Sequence, residues 1–313
     1  MFGYILRRLL ATIPVLGIVA VLVFLMLRLT PGDPAAVIAG DNATTAQIEA
    51  IRAKLGLDQP IITQFGIWAG NLLHGNLGES FFFKKTIGEL ILGRIEPTLS
   101  LAVATMLIAV CVAIPLGVLA AYKHGSWIDR IVMGFSVLGF SVPVFVIGYL
   151  LIYVFAITLG WLPVQGYQPI SGGFGGFIQR LILPSVTLSV IYIALIARMT
   201  RASVLEVLSE DYIRTARAKG QVERKILFRH ALKNAAVPIV TVVGIGIALL
   251  IGGVVVTESV FAIPGLGRLT VDAVLARDYP TIQAVILLFS VVYVAINLGI
   301  DLAYCLFDPR IKY

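Results

Sequence analysis

Residues 198–234 read RMTRASVLEVLSEDYIRTARAKGQVERKILFRHALKN. This is the one long, densely charged segment in a chain that is otherwise mostly apolar. Runs apolar enough to cross a membrane flank it on both sides. Its basic residues (Arg198, Arg201, Arg214, Arg217, Lys219, Arg224, Lys225, Arg229 and Lys233) outnumber its acids (Glu206, Glu210, Asp211 and Glu223). A short loop with that excess stays on the cytoplasmic side. Leu205, Leu208, Tyr212 and Ala216 recur at helical spacing. Glu206, Glu210 and Arg214 form a second stripe, in which Glu210 and Arg214 make a favourable i, i+4 pair. Gly220 follows a basic turn and predicts a helix stop in the left-handed conformation. A second basic helix is predicted over about 222–233. Two short helices joined at a glycine form a knob suited to docking in a groove of another protein. On composition alone, a solvated loop obeying the positive-inside rule fits as well.

Working outward, the 313-residue chain is 59% hydrophobic with net charge +7, and its 13% of charged residues falls well short of the roughly 25% of soluble domains. Its apolar segments are long and continuous rather than alternating, so the class is an all-α integral membrane protein with about six transmembrane helices. The first span follows Arg7 and Arg8 and covers 9–27, longer than the roughly 7–15 residues of a signal-peptide core, so it reads as uncleaved with its N-terminus inside. Further spans are predicted over 98–121, 131–159, 181–197, 237–256 and 282–306. The third is long enough to require tilt or a break at Pro143. Residues 30–96 form an extracytoplasmic segment, because long loops cross largely regardless of charge. Within it, Thr44 or Thr45 caps a helix that runs through Lys54 and stops at Gly56. Gly244, Ala248 and Gly252 lie four apart, a small-residue stripe for close helix packing.

The segment from Asp211 to Gly220, DYIRTARAKG, resembles the EAA loop of ABC importer permeases in the form used by the peptide/nickel group. Aligned on Gly220, the family's Glu-Ala-Ala falls on Arg214, Thr215 and Ala216, where only the second Ala matches, and the family's later Pro falls on Lys233. PGDP at 31–34, LGLDQP at 55–60, NLGES at 76–80, FAIPGLGRL at 261–269 and RDYP at 277–280 also resemble stretches of these permeases, so the likeness covers essentially the whole chain. It implies a type I importer permease core over 94–304, preceded by the first helix and the extracytoplasmic segment in 1–93 and followed by a cytoplasmic tail, 305–313. It further implies that Asp211, Tyr212, Arg214, Thr215, Ala216, Arg217, Ala218, Lys219 and Gly220 form the ATPase-coupling loop. The partners implied are a homologous second permease, two ATPase subunits and an extracytoplasmic substrate-binding protein, in a bacterial inner membrane with both termini cytoplasmic. No cofactor is expected in this chain; ATP and Mg belong to the partner ATPases. Short peptides are the expected cargo, with glutathione or nickel complexes as the alternative.

The residues bearing on catalysis are sparse. There is no GxxxxGK[ST] phosphate loop and no HExxH. His74, His124 and His230 have no metal-ligand spacing, and Cys111 and Cys305 read as inert packing residues. The basic residues concentrate in membrane-flanking loops, which points to the bilayer as partner and away from nucleic acid. Glu258 and Asp301 lie near span ends, where ionisable groups either line a pathway or sit at the interface with water access. Asn297 either faces the pore or hydrogen-bonds a neighbouring helix. A stand-alone secondary transporter would show repeated halves with broken helices and intramembrane ion sites, and a membrane enzyme a catalytic cluster. The sequence offers neither.

Overall fold

Backbone N–H and C=O groups inside a bilayer must be paired within the protein, and continuous helices satisfy that requirement segment by segment. The computed structural model describes residues 2–29, 33–40, 43–54 and 56–307. Among them the backbone is almost wholly helical, with only an isolated bridge between Glu79 and Thr86. Five helices are long and apolar enough to cross a membrane: α1 (Phe2–Leu29, apolar over Leu10–Leu29), α5 (Ile87–Tyr122), α8 (Phe174–Leu208), α12 (Ala236–Val260) and α14 (Tyr279–Phe307). A sixth crossing is counted if one bent helix pair is taken as a single span. Helix α6 (Trp127–Ser141) and the segment formed by α7 (Val144–Leu151) and a π-helical stretch (Ile152–Thr158) meet at a bend of 105°. The break falls where the sequence places it: Val142 is extended ahead of Pro143, the conformation a following proline imposes. The spans otherwise outrun their apolar cores: α5 carries Glu89, Arg94 and Glu96 in its first turns, and α8 carries Arg198, Arg201 and Glu206 in its last ones.

The chain divides into two compact units. The first comprises residues 1–96 and 268–294. Here α1 is followed by α2 (Pro34–Ala39), α3 (Thr45–Lys54) and α4 (Ile61–Leu73). Asp33 caps α2 by accepting from the Ala35 amide at 3.1 Å. Thr44 caps α3 in a reciprocal box, since its hydroxyl accepts from the Gln47 amide at 3.3 Å while Gln47 Oε1 accepts from the Thr44 amide at 2.9 Å. Arg52 ties the two short helices together through Asp33. Gln283 at the start of α14 donates to the Val23 carbonyl of α1 at 2.8 Å, and the buried Asp278 accepts from Ser80 and from Thr281.

The second unit comprises residues 97–267 and 295–313, the last six of these outside the described residues together with the side chain of Cys305. Its axis is α8, buried along much of its length and contacted by α6, α7 and α12. Glycines let the neighbours close on it. A Cβ at Gly117 of α5 would stand 2.6 Å from Thr200 Cβ and 2.7 Å from the Ala197 carbonyl; one at Gly139 of α6 would meet Ala194 at 3.0 Å. On α12 the residues facing α8 are Gly246 and Gly253, near Tyr192 and Leu188 respectively. The stripe expected from Gly244, Ala248 and Gly252 therefore does not act as one surface. Gly244 closes on Ile300 of α14, and nothing lies within 4 Å of a Cβ at Gly252. Spacings of four drift around a helix, whereas 246 and 253 are two full turns apart and share a face. Cys111 is unpaired and exposed on the helix surface.

Candidate coupling loop

The charged stretch 198–234 forms two helices as expected, but they begin later than its stripes suggest. Helix α8 ends at Leu208, and Ser209 and Glu210 break it. Glu210 is extended (φ −69°, ψ 147°) and starts α9 (Asp211–Ala218). Leu205 and Leu208 therefore belong to a different helix from Tyr212 and Ala216. The expected Glu210–Arg214 pair is not made, because Glu210 stands outside the helix. Arg214 bonds Asp211 instead, at 3.1 Å. Asp211 in the first turn and Arg217 in the last complement the helix dipole.

Helix α9 ends in a Schellman motif. The Gln221 amide donates to the Ala216 carbonyl at 3.2 Å and the Gly220 amide to the Arg217 carbonyl at 2.9 Å, with Gly220 at φ +74°. The chain then re-enters helix at Val222, through α10 (Glu223–Lys225), a π-helical turn (Ile226–Ala231) and α11 (Leu232–Asn234). Two side-chain pairs hold the helices together around Gly220. Arg217 Nε donates to Glu223 Oε1 at 2.8 Å, and Asn234 Nδ2 donates to the Tyr212 hydroxyl at 2.9 Å. Ile213 and Ile226 are fully buried. Leu227, Ala231 and Ala235 join Val118, Ala121, Val204 and Ile239 in one apolar cluster, so the second helix is rooted among the ends of α5, α8 and α12.

The outer surface of this pair stays open. Val222 is 71% and Phe228 57% exposed, and with Arg224, Lys225 and Arg229 they line a shallow hollow. Arg214, Thr215, Arg217, Ala218 and Lys219 are wholly or partly exposed. The outer face is thus an exposed apolar patch ringed by cations on a firmly rooted helix pair.

One cluster beside this loop left no trace in the sequence reading. Asp129 is buried at the start of α6 and takes both Nε and Nη2 of Arg201, a residue of α8; the Nη2 bond is 2.8 Å. The Gly125 amide at 3.0 Å and His124 Nδ1 at 3.1 Å complete its shell. Seventy-two positions separate Asp129 and Arg201, so no local pattern announces them.

The three pathway candidates fare differently. Glu258 has no exposed surface: Thr98 Oγ1 donates to it at 2.6 Å and in turn accepts from the Leu266 amide at 2.8 Å. A side chain at Gly265 would run into its carboxylate, so Glu258 packs as an anchor of the 261–267 turn. Asn297 is exposed and Asp301 partly so, one turn apart on α14.

The family described as "Binding-protein-dependent transport system inner membrane component" matches residues 113–313, nearly two thirds of the chain. The protein belongs to that family. The corresponding N-terminal family matches residues 1–102. This permease is 58% identical, over 99% of both chains, to a protein of Sinorhizobium fredii named "Probable peptide ABC transporter permease protein". It is 46% identical, over the whole of both chains, to the glutathione transport system permease protein of Escherichia coli. Among solved structures, a chain of the MetNI methionine ABC transporter superimposes with a TM-score of 0.57 over 70% of this chain and 96% of its own, at 20% identity. That likeness shows a shared type I importer permease fold. The protein is thus a multi-pass inner-membrane permease subunit of an ABC importer, with the ATPase in a separate subunit.

Proposed function

We propose that this permease carries short peptides, pairs with a related second permease to enclose one pathway, and is driven through residues 211–234 by an ATPase docked on that loop. Two ATPase subunits bind ATP and Mg on the cytoplasmic side, one per permease, and a binding protein delivers substrate to the opposite face. Both termini and the 198–234 loop are cytoplasmic in this reading. The observation that carries it is the rooted helix pair around Gly220, with an exposed apolar and cationic surface at its tip and an apolar cluster at its base. When ATP closes the ATPase pair, a loop rooted in this way passes the movement to the ends of α5, α8 and α12 instead of bending on its own.

Peptide cargo is supported by the name of the Sinorhizobium fredii relative; the Escherichia coli relative keeps glutathione as the second reading, itself a short peptide with free carboxylates. Calorimetric titration of dipeptides, longer peptides, glutathione and nickel complexes against the cognate binding protein decides the cargo. The docking is tested by placing a photo-crosslinking residue at Val222 in the assembled importer. A crosslink to the ATPase is expected there, and none from Ile62, which lies far outside the loop in sequence; the reverse pattern overturns the docking.

A further inference from the structure

The first unit contains a short helix that turns large apolar residues outward. Helix α4 has 13 residues, too few to cross a membrane. Ile62, Gly66, Ala69 and Leu73 recur along it at spacings of four, three and four, and Ile62 and Leu73 are 82% and 87% exposed. Its other side lines a pocket with the buried Gln64 and with Asn71, which is itself exposed. A helix at a water-exposed surface has its polar residues outside and its apolar residues within. Exposure of Ile61, Ile62, Ile67 and Leu73 together on one short helix fits a helix lying in the plane of a membrane interface.

Its depth agrees. The Phe24 ring meets Phe65 edge-on at 5.2 Å and Trp68 at 5.6 Å, and Arg28 Nε donates to Gln64 Oε1 at 2.9 Å. Helix α4 therefore rests against the last turns of the apolar run Leu10–Leu29, where the hydrocarbon ends. Tryptophan favours that level. The pocket behind α4 has a volume of about 440 Å³ and is walled by α1, α4, the 76–81 loop and the start of α14. The Arg28 guanidinium lies 3.5 Å from the Phe24 ring centroid and donates through Nη1 to the Phe24 carbonyl at 3.0 Å. Among the described residues its hydrogen bonds use Nε and Nη1, which leaves Nη2 for a ligand. Leu27, Leu72 and Leu287 supply apolar wall, and Glu79 adds a carboxylate.

We propose that α4 lies in the membrane interface and that this pocket holds the headgroup of a zwitterionic membrane phospholipid, its phosphate on Arg28 and its ammonium toward Glu79. A guanidinium fork suits phosphate oxygens. The carboxylate of Glu79 opposes a second negative charge and complements an ethanolamine. The apolar walls take the glycerol and the first acyl carbons, for which a free phosphate has no use. The leaflet is the one on the side of residues 33–86.

Two measurements on the assembled importer test this. In native mass spectrometry after delipidation, phosphatidylethanolamine, phosphatidylglycerol and inorganic phosphate are added back to wild type, Arg28→Gln and Glu79→Gln. Wild type is expected to retain phosphatidylethanolamine over phosphatidylglycerol and to retain no inorganic phosphate. Arg28→Gln is expected to lose about tenfold in phosphatidylethanolamine retention, and Glu79→Gln to narrow the preference between the lipids. Equal retention in all three proteins, or phosphate held as well as lipid, overturns the site. Should Arg28→Gln fail to assemble, Trp68 fluorescence in the Trp127→Phe, Trp161→Phe protein reports the same placement. Quenching by phosphatidylethanolamine brominated near the top of its acyl chains is expected; fluorescence unaffected by that lipid overturns the interfacial position.

Discussion

At Gly220, backbone geometry and function meet in a single residue. Its φ of +74° is open to glycine and costly to a β-branched side chain, and no atom lies within 4 Å of where a Cβ would stand. A substitution there acts through the backbone and not through crowding. Gly220→Val is expected to cost about 1–3 kcal/mol locally, relieved by swinging the second helix out of line. Insertion should survive, because the spans do not depend on that angle, while the ATPase subunits should no longer co-purify. Gly220→Asn, a residue that tolerates the left-handed region, should retain them. Equal co-purification for Val and Gly would mean that the angle between the helices is irrelevant. Asp129 is the second decisive residue. Asp129→Asn leaves Arg201 without its charge partner in a largely buried site and should lower the stability of the complex by about 2–3 kcal/mol. The check is the thermal midpoint of the purified importer, with the Asp129→Asn, Arg201→Gln pair losing less than the sum of the single changes.

Among the elements, α8 organises the second unit because α5, α6, α7 and α12 all approach it through glycine. Gly117→Ala should therefore force α5 away from the Ala197 carbonyl and destabilise by about 1–3 kcal/mol. Gly252→Ala on α12 should be neutral, since nothing stands near that position; thermal melts of the two variants separate these outcomes. The comparison also marks what could be read in advance. Apolar length gave the five continuous spans, and Pro143 gave the bend between α6 and α7, because both are local properties of the chain. Gly220 was legible for the same reason. The interruption at Ser209 and Glu210 was not, since neither residue is a strong breaker and the apolar stripe continues in register through it. The choice of Asp211 over Glu210 by Arg214 followed from that interruption. The Asp129–Arg201 pair and the glycine contacts with α8 are tertiary, and only the packing of distant helices reveals them.

For the molecule as a whole, family membership fixes the role of permease, and the remaining question is how the chain is oriented and driven. Cysteines introduced as Ala46→Cys and Ser209→Cys, on a background lacking Cys111 and Cys305, report orientation; Ala46 is exposed and spares the cap that Gln47 makes on α3. In intact spheroplasts a membrane-impermeant maleimide should label the first and not the second. Drive is measured most directly by peptide uptake into proteoliposomes holding this permease, its partner permease and the ATPases, with the binding protein on the face opposite the ATPases. The account predicts uptake that requires ATP on the ATPase side, persists when a protonophore collapses the ion gradient, and falls to background with Gly220→Val. Uptake without ATP that vanishes with the gradient would contradict it.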